Sequence, residues 1–178
     1  MEIEYRLLGP TDTTIYRKIR LECLKAYPTH FGSSFEEEQS KSQLAYEIYL
    51  EKEDPDNFIF GAFDGKTCVG ICAFHREPRE KTRHRGELIQ MYVASGYQKH
   101  GLGKELIARL VNRAFTSLGI EQIVLGVINT NLSAIHVYEK MGFREYGLIP
   151  KYFKMGKGYL DQKLMIRERG VFDIDFDG

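Results

Sequence analysis

The sequence predicts one α/β or α+β domain built on a single sheet of mixed strand direction. Three observations carry this: strand-like runs spread along the chain, a hairpin signal joining two of them, and one strongly periodic helix after a glycine-containing loop. A chain of 178 residues suits one such domain, spanning residues 1–178, with a sizeable core.

Residues 2–8 alternate Ile3, Tyr5 and Leu7 with polar neighbours, the period-two pattern of a half-buried strand. Asp12 is placed to cap a helix whose Ile15, Ile19 and Cys23 form one stripe and which ends near Pro28. Ser34 and Glu37 have capping-box spacing, predicting a second helix that continues through Leu44, Ile48 and Tyr49 and ends by Pro55. Residues 58–63 and 68–74 read as strands, and Asp64-Gly65-Lys66 between them signals a hairpin turn. Residues 76–86 are basic and polar; residues 88–93 then form a fourth strand, rich in strand formers.

Residues 104–118 carry Leu106, Ile107, Leu110, Val111, Ala114 and Leu118 at helical spacing, with Gly119 placed to end the helix. A strand over 123–127, a helix over 133–141 stopped by Gly142 and a last strand over 160–166 complete the order. The acidic segment 172–178 is expected to fray.

Lys plus Arg and Asp plus Glu each total 25, so no global field holds nucleic acid or an acidic membrane surface. The start Met1-Glu2-Ile3-Glu4 lacks an apolar signal core, and no stretch approaches the ~20 apolar residues of a membrane span, so a cytoplasmic location is expected. Cys23, Cys68 and Cys72 are too few for a disulfide framework or a four-ligand zinc site and read as buried thiols. His75, His84 and His100 lie in or beside polar loops without metal-ligand spacing, so no metal is expected.

The chemistry centres on Gln98-Lys99-His100-Gly101-Leu102-Gly103-Lys104, between the fourth strand and the helix over 104–118. Glycines there let backbone approach a ligand, and the N–H groups of the loop and first helical turn can cradle a phosphate. A lone Gly-x-Gly also makes simple tight turns, and this one lacks both the P-loop and the dinucleotide patterns.

Gln98-x-x-Gly101-x-Gly103 resembles the Gln/Arg-x-x-Gly-x-Gly/Ala signature of GNAT N-acetyltransferases. Asn131, Ala134, Tyr138, Gly142 and Phe143 resemble the family's second block, and Glu87 stands where one branch carries its general base. The specific likeness covers residues 87–143. It implies a mixed, mostly antiparallel sheet of about six to seven strands flanked by about four helices. The activity implied is transfer of an acetyl group from acetyl-CoA to a primary amine, by direct attack in a ternary complex. The residues around Arg20 to Glu38 also resemble a subset of bacterial members with varied acceptors.

The resemblance places the coenzyme pyrophosphate on backbone amides of Lys99, His100, Gly101, Leu102, Gly103 and Lys104, in a cofactor-binding loop that starts at Gln98. It pairs pantetheine with strand backbone at Met91, Tyr92 and Val93, a strand addition performed by a cofactor. Glu87 would act as base and Tyr138 as the acid that protonates departing thiolate, while Asn131 would bond the pantetheine arm. Each has a plainer reading: an exposed strand-end carboxylate, a core-packing tyrosine beside Ile135 and Met141, and a helix cap. Glu36, Glu37 and Glu38 either attract a cationic acceptor or complement the helix dipole. The basic stretch from Arg76 to Arg85 either draws an acidic acceptor or is a solvated tip.

The alternatives are a non-catalytic acyl-CoA-binding module and an interaction protein docking through that basic tip. The acceptor, a small molecule or a peptide amine, is left open, as is a homodimer.

Overall fold

The computed structural model describes residues 2–170; segment 172–178, expected to fray, lies outside them. Its strands are β1 (Ile3–Leu7), β2 (Asn57–Asp64), β3 (Thr67–Arg76), β4 (Arg85–Val93), β5 (Gln122–Ile128), β6 (Arg144–Met155) and β7 (Gly158–Glu168). The helices are α1 (Thr13–Ala26), α2 (Phe35–Ser40), α3 (Ala45–Glu51), α4 (Leu102–Ser117) and α5 (Leu132–Lys140). Hydrogen bonding orders one seven-stranded sheet as β1-β2-β3-β4-β5-β7-β6. The β1–β2, β2–β3, β5–β7 and β6–β7 ladders are antiparallel and β4–β5 is parallel, the mixed and mostly antiparallel sheet the sequence implies.

Two compact units divide the chain: Met1–His75 with Leu88–Leu110, and Arg76–Glu87 with Val111–Gly178. In the first, Asp64 and Thr67 close the β2–β3 hairpin, and Gly65 takes the left-handed φ of +55° that tight turns demand. Its core joins Tyr16, Ile19 and Leu24 of α1 to Leu44, Leu50 and the sheet residue Ile71. Burying each such side chain stabilises by about 1.5–3 kcal/mol.

The single helix expected over residues 34–55 is instead α2 and α3. Ser34 and Glu37 do form the capping box, with reciprocal bonds of 3.1 and 3.2 Å. The break is held by Arg17 of α1, which donates to the carbonyls of Lys41 and Ser42 and grips the Glu47 carboxylate at 2.7 and 2.8 Å. Glu47 in turn accepts the Leu44 N–H at 2.6 Å and starts α3. A long-range cation thus outcompetes local helical continuity.

Asp12 precedes α1, but its carboxylate faces backward, accepting from Arg6 at 2.7 and 2.8 Å and from the Gly9 N–H at 2.9 Å. That Arg6 contact, the dominant cause, holds the Asp12 carboxyl below the usual range.

In the second unit the β4–β5 ladder is three pairs long: Arg85↔Gln122, Gly86↔Ile123 and Glu87↔Val124. Glu87, at the end of a strand expected over 88–93, is the third residue of β4. β6 has no counterpart among the sequence-predicted strands. Its twelve residues are almost all exposed, so it lacks the buried-face alternation by which strands are recognised. Gly119 (φ +64°) ends α4 and Gly142 (φ +81°) ends α5, as read. No helix of the described residues is long and apolar enough to cross a membrane.

Candidate functional site

The glycine loop lies in the first unit. After a 3-10 turn over Ser95–Tyr97 the chain passes through Lys99 (φ +67°) and Gly101 (φ +83°), and α4 begins at Leu102. The Glu105 N–H donates to the Gly101 carbonyl at 3.2 Å, making Gly101 the N-terminal cap. The N–H groups of Leu102, Gly103 and Lys104 are then first-turn donors with no intrahelical acceptor, at the positive end of a helix of 16 residues. This is the geometry that receives phosphate.

The two glycines serve different needs. A Cβ on Gly101 would meet nothing within 4 Å, so its demand is the left-handed backbone alone. A Cβ on Gly103 would sit 3.2 Å from Met91 Cε, so its demand is space. Lys99 holds a conformation that costs a residue with a Cβ about 1–2 kcal/mol. Neighbouring anchors hold the loop: Leu102 is buried, and Gln98 donates its side-chain amide to the Val93 carbonyl (3.0 Å) and to the Tyr27 hydroxyl (2.9 Å). Lys99, His100, Gly101 and Lys104 are exposed. Gln98, read as the start of the cofactor loop, contributes its side chain as a strut between loop and strand.

On β4, Met91 and Val93 are half-buried and Tyr92 is buried. Gln90 just before them has φ +53°, a left-handed residue inside a strand and so a local bulge that re-aims its neighbours. The buried Tyr16 hydroxyl of α1 donates to Gln90 Oε1 at 3.0 Å and braces this kink. Two residues further along β4, the Tyr92 hydroxyl donates to Glu22 Oε1 at 2.8 Å. Burial first, and Glu22 second, raise the Tyr92 pKa and keep its phenol protonated. Sequence reasoning missed Gln90, because a positive φ at a non-glycine strand residue leaves no compositional trace, and Tyr16, Glu22 and Tyr27, because their bonds reach across 70 to 74 residues.

In the second unit Glu87 is half-buried on β4, paired in the ladder with Val124. Tyr138 is buried on α5, its ring edge-on to Phe143 with centroids 6.0 Å apart. Ile135 and Met141, its expected packing partners, are buried as well, one on α5 and one directly after it. Asn131 caps α5: its Oδ1 accepts from the Ala134 N–H at 3.3 Å and from the Ser133 hydroxyl at 3.1 Å.

Cys23 and Cys72 are buried and Cys68 half-buried, which corrects the reading of three buried thiols. Burial pushes the Cys23 and Cys68 thiols up to about 11 and that of Cys72 further, so all three stay protonated near neutral pH. Among the described residues no group of three or more His, Cys, Asp or Glu side chains stands ready for a metal ion.

The Acetyltransferase (GNAT) family model matches residues 20–143. The chain is 30% identical over 125 residues to N-alpha-acetyltransferase 30 of Homo sapiens, covering 68% of this chain and 34% of that protein. It is 35% identical over 82 residues to Spermidine N(1)-acetyltransferase of Vibrio cholerae, covering 46% and 47%. The matches thus span about a third to a half of these relatives. In fold it is similar to yncA of Salmonella typhimurium, solved with its cofactor acetyl-CoA: TM-score 0.76, 17% identity, 94% of each chain covered. With the glycine loop opening α4 and a family match across most of its length, the chain belongs to the GNAT family of acetyltransferases.

Proposed function

We propose that the whole chain works as one acetyl-CoA-dependent N-acetyltransferase domain, acting in the cytoplasm on a primary amine. The observation that carries the reading is the α4 N-terminus: Gly101 at φ +83° and the unencumbered Gly103 leave first-turn N–H donors open to a pyrophosphate. The short β4–β5 ladder supports pantetheine pairing with the backbone of Met91, Tyr92 and Val93 beyond it. Gln98 tethers the Val93 carbonyl at the end of that strand.

A lysine-like amine arrives as ammonium, with a pKa of ~10.4, and must lose a proton before it attacks. Glu87 takes that proton, directly or through a water. The amine nitrogen then bonds to the thioester carbon, and collapse of the tetrahedral intermediate breaks the carbon–sulfur bond. Tyr138 gives its proton to the departing thiolate. The high thiol pKa values of Cys23 and Cys68 favour direct transfer over an acyl-enzyme, since a thiol held protonated is a poor nucleophile.

The test is coenzyme A release from acetyl-CoA across a panel of amines, run beside thermal shifts with coenzyme A. Amine-dependent release with a ligand-induced shift is expected. A shift without release on any amine would reduce the protein to an acyl-CoA-binding module; the absence of both would reject the reading.

A further inference from the structure

Arg20, in the first unit, is a buried cation that its described neighbours do not neutralise. It lies on α1 between Tyr16 and Cys23, at four- and three-residue spacing, and is only 5% exposed. An arginine cannot shed its charge on burial, so a guanidinium out of water needs an anion beside it. Among the described residues no carboxylate lies within ion-pair distance of it, although five of the acids nearby in sequence or fold are accounted for. Glu47 is held by Arg17 and Asp12 by Arg6. Glu38 is paired with Lys41, Glu22 receives Tyr92, and Glu37 closes the Ser34 capping box. Arg20 has instead one weak contact from Nη1 to Cys23 Sγ at 3.6 Å, and the Phe31 ring 5.3 Å from its guanidinium carbon. Its Nε is sealed from solvent with no acceptor.

The position gives this cation a use. Tyr16, one helical turn before Arg20, bonds directly to Gln90 in the bulge of β4, immediately before Met91. Side chains four apart on a helix are neighbours, so Arg20 stands beside the strand segment assigned above to pantetheine. An anion on the second substrate would satisfy the guanidinium there, with Phe31 covering it.

We propose that Arg20 is a specificity-determining residue that binds a carboxylate carried by the amine acceptor. The substrate class is therefore an amino acid or an acid-bearing peptide end rather than a polyamine. This rests on the acetyltransferase reading above. A polycation would meet an uncompensated positive charge, so the acceptor class differs from the one named for the Vibrio cholerae relative.

The experiment compares wild type with Arg20→Met and Arg20→Lys on matched acceptors: an amino acid, its α-amide, its decarboxylated amine, a peptide with an acidic first residue, and spermidine. Wild type should favour the carboxylate-bearing acceptors. Arg20→Met should lose about 10- to 100-fold in kcat/KM on these alone, the worth of a charge-assisted bond, and Arg20→Lys should recover part of it. Equal preference in wild type and Arg20→Met, or no carboxylate preference in wild type, overturns the proposal.

A second readout needs no turnover. Formate at constant ionic strength should raise the melting temperature of wild type above that in chloride, and should not do so for Arg20→Met. Inorganic phosphate in place of formate separates the two anion sources: a larger phosphate shift abolished by Arg20→Met would assign the residue to a phosphate group and overturn the acceptor role. Coenzyme A should still shift both proteins. Its failure to shift either would reject the acetyltransferase reading itself, while the formate comparison still reports on Arg20.

Discussion

Arg20 apart, the two units carry candidate roles of different chemical kinds. In the first, the roles of Met91, Tyr92, Val93 and the 98–104 loop rest on backbone groups, and what side chains there do is brace: Gln98 on Val93, Tyr16 on Gln90. In the second, Glu87, Tyr138 and Asn131 would act through side chains, and each also has a structural task, in a ladder, a ring contact and a cap. A backbone role leaves a signature in φ and in space that a fold alone does not require. A side-chain role does not, because a buried tyrosine or a capping asparagine looks the same whether or not it meets a substrate. Only perturbation that keeps the structural task and removes the chemical one can separate them.

The largest effect expected is on turnover. Glu87→Gln keeps shape and strand pairing, and should lower kcat by roughly 10² to 10⁴ while the coenzyme A dissociation constant stays near that of wild type. Steady-state rates with parallel ligand titration decide it; turnover within a few-fold of wild type would assign the proton to another group.

Tyr138→Phe comes next, near the lower end of that range at about 10², because a thiolate whose conjugate acid has a pKa near ~8.5 needs less help to leave. The ring and its Phe143 contact survive, so melting should move little. The rate loss should shrink on thioesters with more acidic thiols; a ratio of one on every donor would return Tyr138 to packing alone.

Gly103→Val attacks the backbone role. Its Cβ would crowd Met91 Cε at 3.2 Å and its branches would fill the approach to the first-turn donors. At ligand near 100 times the wild-type dissociation constant, stabilisation of about 2.7 kcal/mol should vanish, read as a lost thermal shift. Gly101→Val should do the same through φ, and an undiminished shift in both would sink the loop assignment.

The smallest effect belongs to Asn131→Ala. Loss of the cap should cost about 1 kcal/mol of stability by denaturant titration. If the side chain also bonds pantetheine, coenzyme A affinity falls as well; unchanged affinity leaves only the cap.

Much of this was legible before the fold was seen, wherever the signal was local. Asp64-Gly65 announced its turn, Ser34 and Glu37 their capping box, and the spacing of Leu106, Ile107 and Leu110 the helix behind the loop. The site was legible in its backbone half for the same reason: glycine is the residue that tolerates φ +83° without strain.

By itself, then, the sequence determined the turns, the amphipathic helices and the phosphate-type loop, because each depends on residues a few positions apart. Tertiary structure decided where one helix became two, since Arg17 reaches across 24 to 30 residues to hold the break. It decided that exposed β6 would be a strand, because pairing with β7 supplies hydrogen bonds that no hydrophobic pattern encodes. It also decided that Arg20 would be buried with no acid beside it among the described residues. Whether a charge is paired depends on every element packed around it: Asp12, Glu47 and Glu38 are each held by another cation, and Glu22 and Glu37 by contacts of their own.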